Sequence, residues 1–266
     1  RLHVTLNRPK VRNAMSFAMV RELTAVFEAI KDDRSIRAVI LRGAGGHFCA
    51  GGDIRDMATA QQTQPGADGV DPVATTNRLF GTMLMQLNRA PQAVVAVLEG
   101  AVMGGGFGLA CISDVAISLT SAKFRLPETS LGLPPAQIAP FIVERIGLTA
   151  ARRLAVTGGR LDGQAAHALG LVHFVEPDTA ALEARLCEVI EQVRRCAPEA
   201  VAVTKSLMHA AHHGERTAVL DGAANSFAKS VRQGEGMAGM MAFLSKKPAP
   251  WAAPDPETSG EPEPAS

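Results

Sequence analysis

The sequence predicts an α/β protein whose strands lie in the first two-thirds of the chain and are followed by helices. Short apolar runs typical of buried strands alternate with segments whose apolar residues recur at helical spacing. From residue 136 onward the helical patterns continue without further strand-like runs. This order indicates an α/β core with a helical cap.

The first elements alternate between strand and helix. A strand is predicted over residues 2–6, and Ser16 is placed to cap a helix with one apolar stripe. That stripe consists of Val20, Leu23, Phe27 and Ile30. Further strands are predicted at residues 38–41, 93–98 and 114–118, and a compact turn at residues 124–129.

Between these strands, residues 58–75 are rich in Gln, Ala, Gly, Pro and Asp, which predicts an irregular, mobile loop able to act as a lid. A helix is predicted over residues 77–88. In the later part, Asp162 is placed to cap a helix and Pro198 to begin another. Apolar stripes at helical spacing are Ile138, Ile142 and Ile146, and Leu182, Leu186, Val189 and Val193.

The domain organisation predicted is a core over residues 1–196, a helical region over residues 197–247 and a tail over residues 248–266. The tail contains six prolines among acidic and small residues, which predicts disorder. No second domain of ordinary size is expected.

Composition excludes several classes of partner. The chain has 266 residues and a net charge of +1, which disfavours nucleic acid or a membrane surface as the main partner. No apolar run approaches the roughly 20 residues that span a bilayer, and a cytoplasmic protein is expected. The four cysteines show no CxxC pair, and Cys49 and Cys111 are expected to be reduced packing residues. The pair His212–His213 is expected on a solvated helix face rather than at a metal site.

Two glycine-rich junctions, at residues 51–52 and 104–106, each follow an apolar strand. Glycines leave main-chain N–H groups uncovered, so a pair of such junctions can direct two donors at one oxygen and stabilise an oxyanion. Close packing of helix against strand explains the glycines equally well. Because Leu109 stands where GxGxxG requires its last glycine, a dinucleotide-binding fold is disfavoured.

Acyl transfer through a nucleophile is disfavoured because no GxSxG occurs and no histidine is placed by sequence to activate Cys49. Glu128, between Pro127 and Thr129, is the acid with the most apolar surroundings. Partial burial would raise its pKa toward the range useful for a general base. A surface glutamate at a turn is the open alternative.

In this order, the motifs make the chain resemble the enoyl-CoA hydratase/isomerase (crotonase) superfamily over roughly residues 1–247. The matching segments are residues 7–10 with 13–14, 50–54, 99–100 with 104–106, 124–128 with 131–132, 154–158, 170–172, and 197–200 with Lys205. The resemblance implies a crotonase (ClpP-like) spiral of ββα turns with a C-terminal helical trimerisation region, assembled as a homotrimer or homohexamer. It also implies an acyl-CoA substrate, with coenzyme A entering as part of that substrate and no other cofactor or metal.

The resemblance further assigns site residues. The amides of Gly52 and Gly105 match the two that hold the thioester oxygen, and Glu128 matches the second catalytic glutamate of the family. The segments that match the coenzyme A site contribute Lys10, Val11, Arg12, Ala50, Asp53 and Ile54. A structural role for Asp53, pinning its glycine junction, is the favoured alternative.

One departure from the family pattern affects the chemistry. Typical hydratases carry another glutamate at the position of Gly108. Glu128 alone could then hydrate an enoyl-CoA, or Glu99 or Asp53 could take the place of the missing acid. Alternatively, Glu128 could act as the lone glutamate of the Δ3,Δ2-isomerases does. The third alternative is a non-catalytic protein that binds CoA esters.

The run over residues 133–141, together with residues 104–110, resembles the isohexenylglutaconyl-CoA hydratase branch, near 3-methylglutaconyl-CoA hydratase, which acts in acyclic terpene or branched-chain catabolism. A substrate of that kind carries its own carboxylate, for which Arg78, Arg125 and Arg145 are candidate partners.

Overall fold

The computed structural model describes residues 1–62 and 69–252, which form an α/β fold with two sheets. The main sheet is parallel, in the order β1 (Leu2–Leu6), β2 (Ala38–Gly43), β3 (Ala93–Leu98), β5 (Val115–Leu119) and β8 (Phe174–Glu176). The second sheet has the order β4 (Ala101–Met103), β6 (Lys123–Arg125) and β7 (Arg160–Leu161). In it β4 and β6 are parallel, and β6 and β7 are antiparallel.

The helices follow and interleave with these strands. They are α1 (Phe17–Ile30), α2 (Ile54–Gln61), α3 (Pro72–Asn88), α4 (Gly105–Ile112), α5 (Ala139–Thr157), α6 (Gly163–Ala168), α7 (Thr179–Arg194), α8 (Pro198–His213), α9 (Arg216–Arg232) and α10 (Gly234–Leu244). Short 3₁₀ turns cover Pro9–Val11, Ala44–Gly46 and Glu128–Leu131. No helix in residues 1–62 and 69–252 is long and apolar enough to cross a membrane.

The central strand β3 is buried along its whole length, as expected for a parallel strand covered on both faces. Immediately after it, Gly100 turns the chain into β4 of the second sheet. Gly100 has φ +53°, and a Cβ atom placed on it would lie 2.2 Å from the carbonyl oxygen of Gly46. Only glycine therefore fits at this crossing between the sheets.

Helix α4 is buried on every side, which is why its sequence lacks a polar face. Phe107 packs edge-on against Phe124, with ring centroids 6.4 Å apart. This contact ties α4 to β6 of the second sheet. The start of α4 is thereby held in a rigid part of the core.

Two compact units make up the chain: Arg1–Val189, and a second that begins at Ile190. The first contains both sheets. Within the second, α8, α9 and α10 pack on one another. The predicted boundary between residues 196 and 197 stays a prediction. Of the predicted tail, residues 253–266 lie outside the described residues.

Several local predictions are confirmed by hydrogen bonds. Ser16 Oγ accepts from Met19 N at 3.2 Å and caps α1, and Asp162 Oδ1 accepts from Ala165 N at 2.9 Å and caps α6. Pro198 is the first residue of α8, as its position predicts. His212 and His213 lie exposed at the end of α8.

Two other predictions are wrong. The segment predicted as an irregular loop over residues 58–75 is helical at both ends, since α2 reaches Gln61 and α3 begins at Pro72; residues 63–68 lie outside the described part. Asp71 Oδ1 caps α3 by accepting from Val73 N at 2.8 Å, a signal that the polar composition masks. The chain also forms two strands past residue 136, β7 and β8. They were not predicted because they are only two and three residues long, too short to show a strand period.

Candidate active site

The two glycine junctions predicted from the sequence lie against each other. Cys49 N donates to Ala101 O, and Met103 N donates to Cys49 O, both at 2.9 Å. A Cβ atom placed on Gly104 would lie 3.4 Å from Gly51 Cα. Gly51 and Gly104 have φ values of +104° and +50°, conformations that side chains rarely adopt. The backbone therefore fixes both junctions at one place.

The residues that follow Gly51 and Gly104, Gly52 and Gly105, each carry a backbone N–H that donates no hydrogen bond to any described residue. Gly105 is the first residue of α4, where the helix leaves N–H groups without an intrahelical partner. Two unused donors on touching junctions can hold one developing oxyanion.

Glu128 lies beside the second junction. Its Oε1 is 2.9 Å from the point that a Cβ atom on Gly104 would occupy. Its Oε2 is buried and has no hydrogen-bond partner among the described residues. Burial raises the pKa of this carboxyl group above its ordinary value. A buried carboxyl oxygen without a partner is suited to exchanging a proton with a bound molecule.

The turn that carries Glu128 is fixed by its neighbours. Arg125 Nε donates to Gly158 O at 3.2 Å, and its Nη2 donates to Ser130 Oγ at 3.1 Å. Thr129 Oγ1 donates to Ala155 O at 2.8 Å. These bonds tie the turn to α5, so the carboxyl group is held in one position.

The position of Gly108 is filled from outside α4. A Cβ atom placed on Gly108 would lie 2.5 Å from Ile138 Cγ2 and 3.6 Å from Leu84 Cδ1. Ile138 is 2% exposed, so a side chain at position 108 would have to displace a buried residue of the close-packed core. A second carboxylate is therefore excluded at this position as the chain is packed.

Apolar side chains from two helices line the approach to the junctions. A Cβ atom placed on Gly105 would lie 3.2 Å from Phe80 Cζ of α3, and one on Gly52 would lie 3.5 Å from Met57 Sδ of α2. Sequence analysis missed Phe80 and Met57 as site residues, and it included Ile138 only within the run over residues 133–141. Nothing in their spacing distinguishes them from ordinary helix residues.

The segment predicted to hold coenzyme A adjoins the first junction. Lys10, Val11 and Arg12 are exposed around the 3₁₀ turn Pro9–Val11. Arg12 O accepts from Ala50 N at 2.9 Å, which places the turn against the segment that precedes Gly51. Ile54, 64% exposed, begins α2 on the other side of Gly52. The structure thus brings these segments together around one opening.

Asp53 is held by a salt bridge. Its Oδ2 lies 2.7 Å from Arg8 Nη1, its Oδ1 accepts from Arg55 N at 3.0 Å, and hydrogen bonding to Arg8 lowers its pKa. These contacts hold Asp53 in place beside the junction, and its lowered pKa makes it a poor substitute acid.

Asn13 organises the same region and was not singled out by its chemistry. It is fully buried with φ +57°, and its Nδ2 donates to Ala44 O at 2.8 Å and to His47 O at 2.7 Å. Its Oδ1 accepts from Arg8 N at 2.8 Å. Asn13 therefore joins the Lys10 turn to the chain that leads into Gly51.

Cys49 and Cys111 are buried and free, as predicted for packing residues. Burial raises the pKa of the Cys49 thiol to about 11 and that of the Cys111 thiol to about 12. Neither carries thiolate at neutral pH, which argues against cysteine nucleophiles.

Comparison with known proteins agrees with this geometry. A sequence model of the family described as enoyl-CoA hydratase/isomerase matches residues 2–254. The solved structure of Pseudomonas aeruginosa AtuE is 59% identical with a TM-score of 0.90, over 94% of this chain and 95% of that chain. The α/β architecture is accordingly the crotonase fold.

Curated relatives differ in the reaction that their names give. Enoyl-CoA hydratase ACTT6 of Alternaria alternata is 32% identical over 206 residues, which are 77% of this chain and 65% of the relative. 3-Hydroxyisobutyryl-CoA hydrolase 1 of Arabidopsis thaliana is 38% identical over 193 residues, which are 70% of this chain and 49% of the relative. The chain thus spans less than two-thirds of the length of these two proteins.

Proposed function

The chain belongs to the enoyl-CoA hydratase/isomerase family, and from this premise we propose that it hydrates the double bond of a branched, 3-substituted glutaconyl-CoA such as isohexenylglutaconyl-CoA. The observation that carries the proposal is the single carboxyl group of Glu128 beside two touching glycine junctions, with a buried oxygen that has no hydrogen-bond partner among the described residues. The run over residues 133–141 supports the choice of substrate branch.

The thioester oxygen is bound by the amides of Gly52 and Gly105. As charge moves onto this oxygen, both N–H groups strengthen their hydrogen bonds to it, and the positive end of α4 adds to the stabilisation. Because the donors belong to a rigid backbone, little reorganisation is needed when the enolate forms.

Glu128 transfers the proton in both halves of the reaction. Its carboxylate removes a proton from water while the water oxygen bonds to Cβ, and the electron pair of the double bond moves toward the thioester oxygen. The protonated carboxyl group then returns that proton to Cα, and the enolate collapses. The product has gained one water, and Glu128 ends as it began. Its raised pKa brings the acid and base forms closer in free energy.

Coenzyme A enters as part of the substrate. The exposed turn with Lys10, Val11 and Arg12, together with Ala50, Asp53 and Ile54, adjoins the opening next to Gly52. We assign these residues to the coenzyme A moiety, with the two cations facing its phosphates. The polar contacts of Asp53 serve to hold the junction itself.

The second candidate is a Δ3,Δ2-enoyl-CoA isomerase. The observation that favours it is the packing of Ile138 against Gly108, which leaves Glu128 as the acid beside the Gly104 junction, while Asp53 at the other junction is held in a salt bridge with Arg8. In that reaction Glu128 removes a proton from Cα and returns it to Cγ, and no water is consumed.

We also propose that the chain assembles as a homotrimer or homohexamer. Within the second unit, large apolar side chains stand exposed on α8–α10. They are Met208, Leu220, Phe227, Met241, Phe243 and Leu244. Patches of this kind mark protein contacts. Sedimentation at equilibrium measures the assembly, and a monomer at all concentrations contradicts it.

The function is tested by mass spectrometry of reactions in oxygen-18 water. The substrates are isohexenylglutaconyl-CoA, 3-methylglutaconyl-CoA, crotonyl-CoA and a 3-enoyl-CoA, and a thiol reagent monitors release of free coenzyme A. We expect label in the hydroxyl group formed on a glutaconyl substrate without release of coenzyme A. Label-free conversion of the 3-enoyl-CoA to the 2-enoyl-CoA would assign the isomerase, and labelled free acid would assign a hydrolase.

A further inference from the structure

Polar side chains surround Gly81 of α3, the residue after Phe80, and they form a cluster of Arg78, Asn77 and Gln137. Gln137 Oε1 is 2.0 Å from the point that a Cβ atom on Gly81 would occupy, and Arg78 Nη1 is 3.2 Å from the same point. Gln137 Nε2 donates to Asn77 Oδ1 at 2.9 Å. Both Arg78 and Gln137 therefore reach the bare backbone of one glycine.

This cluster is continuous with the acyl side of the site. Phe80, next to Gly81 in α3, packs on Gly105, and Leu84 approaches Gly108 one turn further along the helix. Ile138, next to Gln137, fills the space at Gly108. In one segment Gln137 thus directly precedes Ile138, and in the other Arg78 lies two positions before Phe80, with its Nη1 at Gly81.

Of the three arginines that could meet an anionic substrate group, two are committed to the protein. Arg145 Nε donates to Leu171 O at 3.0 Å, and its Nη1 donates to Ser113 O at 3.2 Å. Arg125 donates to Gly158 O and Ser130 Oγ. Both hold backbone or turn positions, and loss of either would disturb the fold.

Arg78 differs from both. Its side chain is exposed, and its Nη1 donates to Thr82 Oγ1 of the same helix at 3.1 Å. A guanidinium group has five N–H donors in a planar fork that matches a carboxylate. The amide of Gln137 adds a neutral donor or acceptor beside it. A small number of polar groups at the edge of an apolar pocket is the usual means of orienting a ligand.

We propose that Arg78, assisted by Gln137, binds a second carboxylate on the acyl chain and so selects dicarboxylic over monocarboxylic acyl-CoA thioesters. This assignment rests on the proposed function, since it places the acyl chain along the Phe80 wall. It gives Gly81 a role as well: any side chain there would displace Gln137 from the cluster.

The test compares binding of two saturated thioesters that cannot react, glutaryl-CoA and butyryl-CoA, by titration calorimetry. Arg78→Gln should weaken glutaryl-CoA by about tenfold or more, the effect of losing a charge-assisted hydrogen bond, and leave butyryl-CoA unchanged. Arg89→Gln, an exposed arginine at the other end of α3, removes the same charge and should change neither. Gly81→Ala should weaken the binding of glutaryl-CoA but not of butyryl-CoA, because the added methyl group displaces Gln137.

Unchanged glutaryl-CoA affinity in Arg78→Gln, or an equal loss for both thioesters, overturns the assignment. Thermal unfolding of each variant identifies misfolded protein, in which case Gln137→Leu provides the same comparison. Oxygen-18 uptake separates the two proposals. If Arg78→Gln selectively loses glutaryl-CoA binding and the wild type takes up no label, the carboxylate site is supported and the hydratase is overturned. Label uptake that is indifferent to Arg78 overturns the carboxylate site alone.

Discussion

Ile138 Cγ2 lies 2.5 Å from the point that a Cβ atom on Gly108 would occupy. The side chain that closes this space comes from a segment thirty positions later in the chain and is 2% exposed. Gly108 and Ile138 are therefore packed as a pair. The core around α4 has space at position 108 for glycine and not for the glutamate that typical hydratases carry there. In the proposed mechanism the proton chemistry consequently falls to Glu128.

The packing predicts that Gly108→Ala destabilises the protein although alanine favours helices. Overpacking costs about 1–3 kcal/mol and the helix preference returns about 1 kcal/mol, so the free energy of unfolding should fall by up to about 2 kcal/mol. Gly222→Ala in α9 is the matched control, because no atom lies within 4 Å of its added Cβ. Urea unfolding measures both variants. Equal or higher stability of Gly108→Ala would show that Ile138 yields.

The raised pKa of Glu128 predicts an acid limb in the pH profile of kcat/KM. Only the carboxylate accepts a proton, so activity should rise with pH through a folded-state pKa above the ordinary 4.5. Because the pKa of Glu128 is higher in the folded than in the unfolded chain, this group stabilises the fold at pH values below its unfolded pKa. That contribution to the free energy of unfolding is lost as the pH rises through the folded pKa. Steady-state rates from pH 4 to pH 9 test this. An inflection at or below pH 4.5 would contradict the burial of the carboxyl group.

Asn13 predicts a link between stability and coenzyme A binding. Asn13→Ala leaves the carbonyl groups of Ala44 and His47 without their donor, which should lower the free energy of unfolding by about 2–4 kcal/mol. Affinity for butyryl-CoA should fall as well, because the Lys10 turn loses its anchor through Arg8. Asn7→Ala, at an exposed position in the preceding turn, should change stability by less than about 0.5 kcal/mol. An equal effect of the two variants would remove Asn13 from this role.

Local features of the fold could be predicted from the sequence because they depend on neighbours in the chain. The strand over Leu2–Leu6 is confirmed, as are the caps at Ser16 and Asp162, since alternation and capping act over a few residues. For Glu128 the apolar neighbours left two alternatives open, partial burial and a surface turn, and the structure shows a half-buried side chain. Strand β8 could not, because its three residues become a strand only by pairing with β5.

The walls of the site were not predictable for a related reason. Phe80 contacts Gly105, and Gln137 contacts Gly81, across separations that no local period encodes. The sequence alone also left three arginines equivalent. The hydrogen bonds of Arg125 and Arg145 to backbone carbonyl groups of other segments distinguish them from Arg78, which donates to a side chain of its own helix.

The central claim, that Glu128 alone moves the proton, is tested most directly by kinetics and binding of Glu128→Gln. Glutamine keeps the shape of the side chain and cannot accept the proton. We predict a fall in kcat of about 10²–10⁴ on the glutaconyl substrate, with affinity for butyryl-CoA unchanged and the thermal unfolding midpoint at neutral pH equal or higher. Hydration by Glu128→Gln within a few-fold of the wild-type rate would contradict the mechanism and show that another group acts as the base.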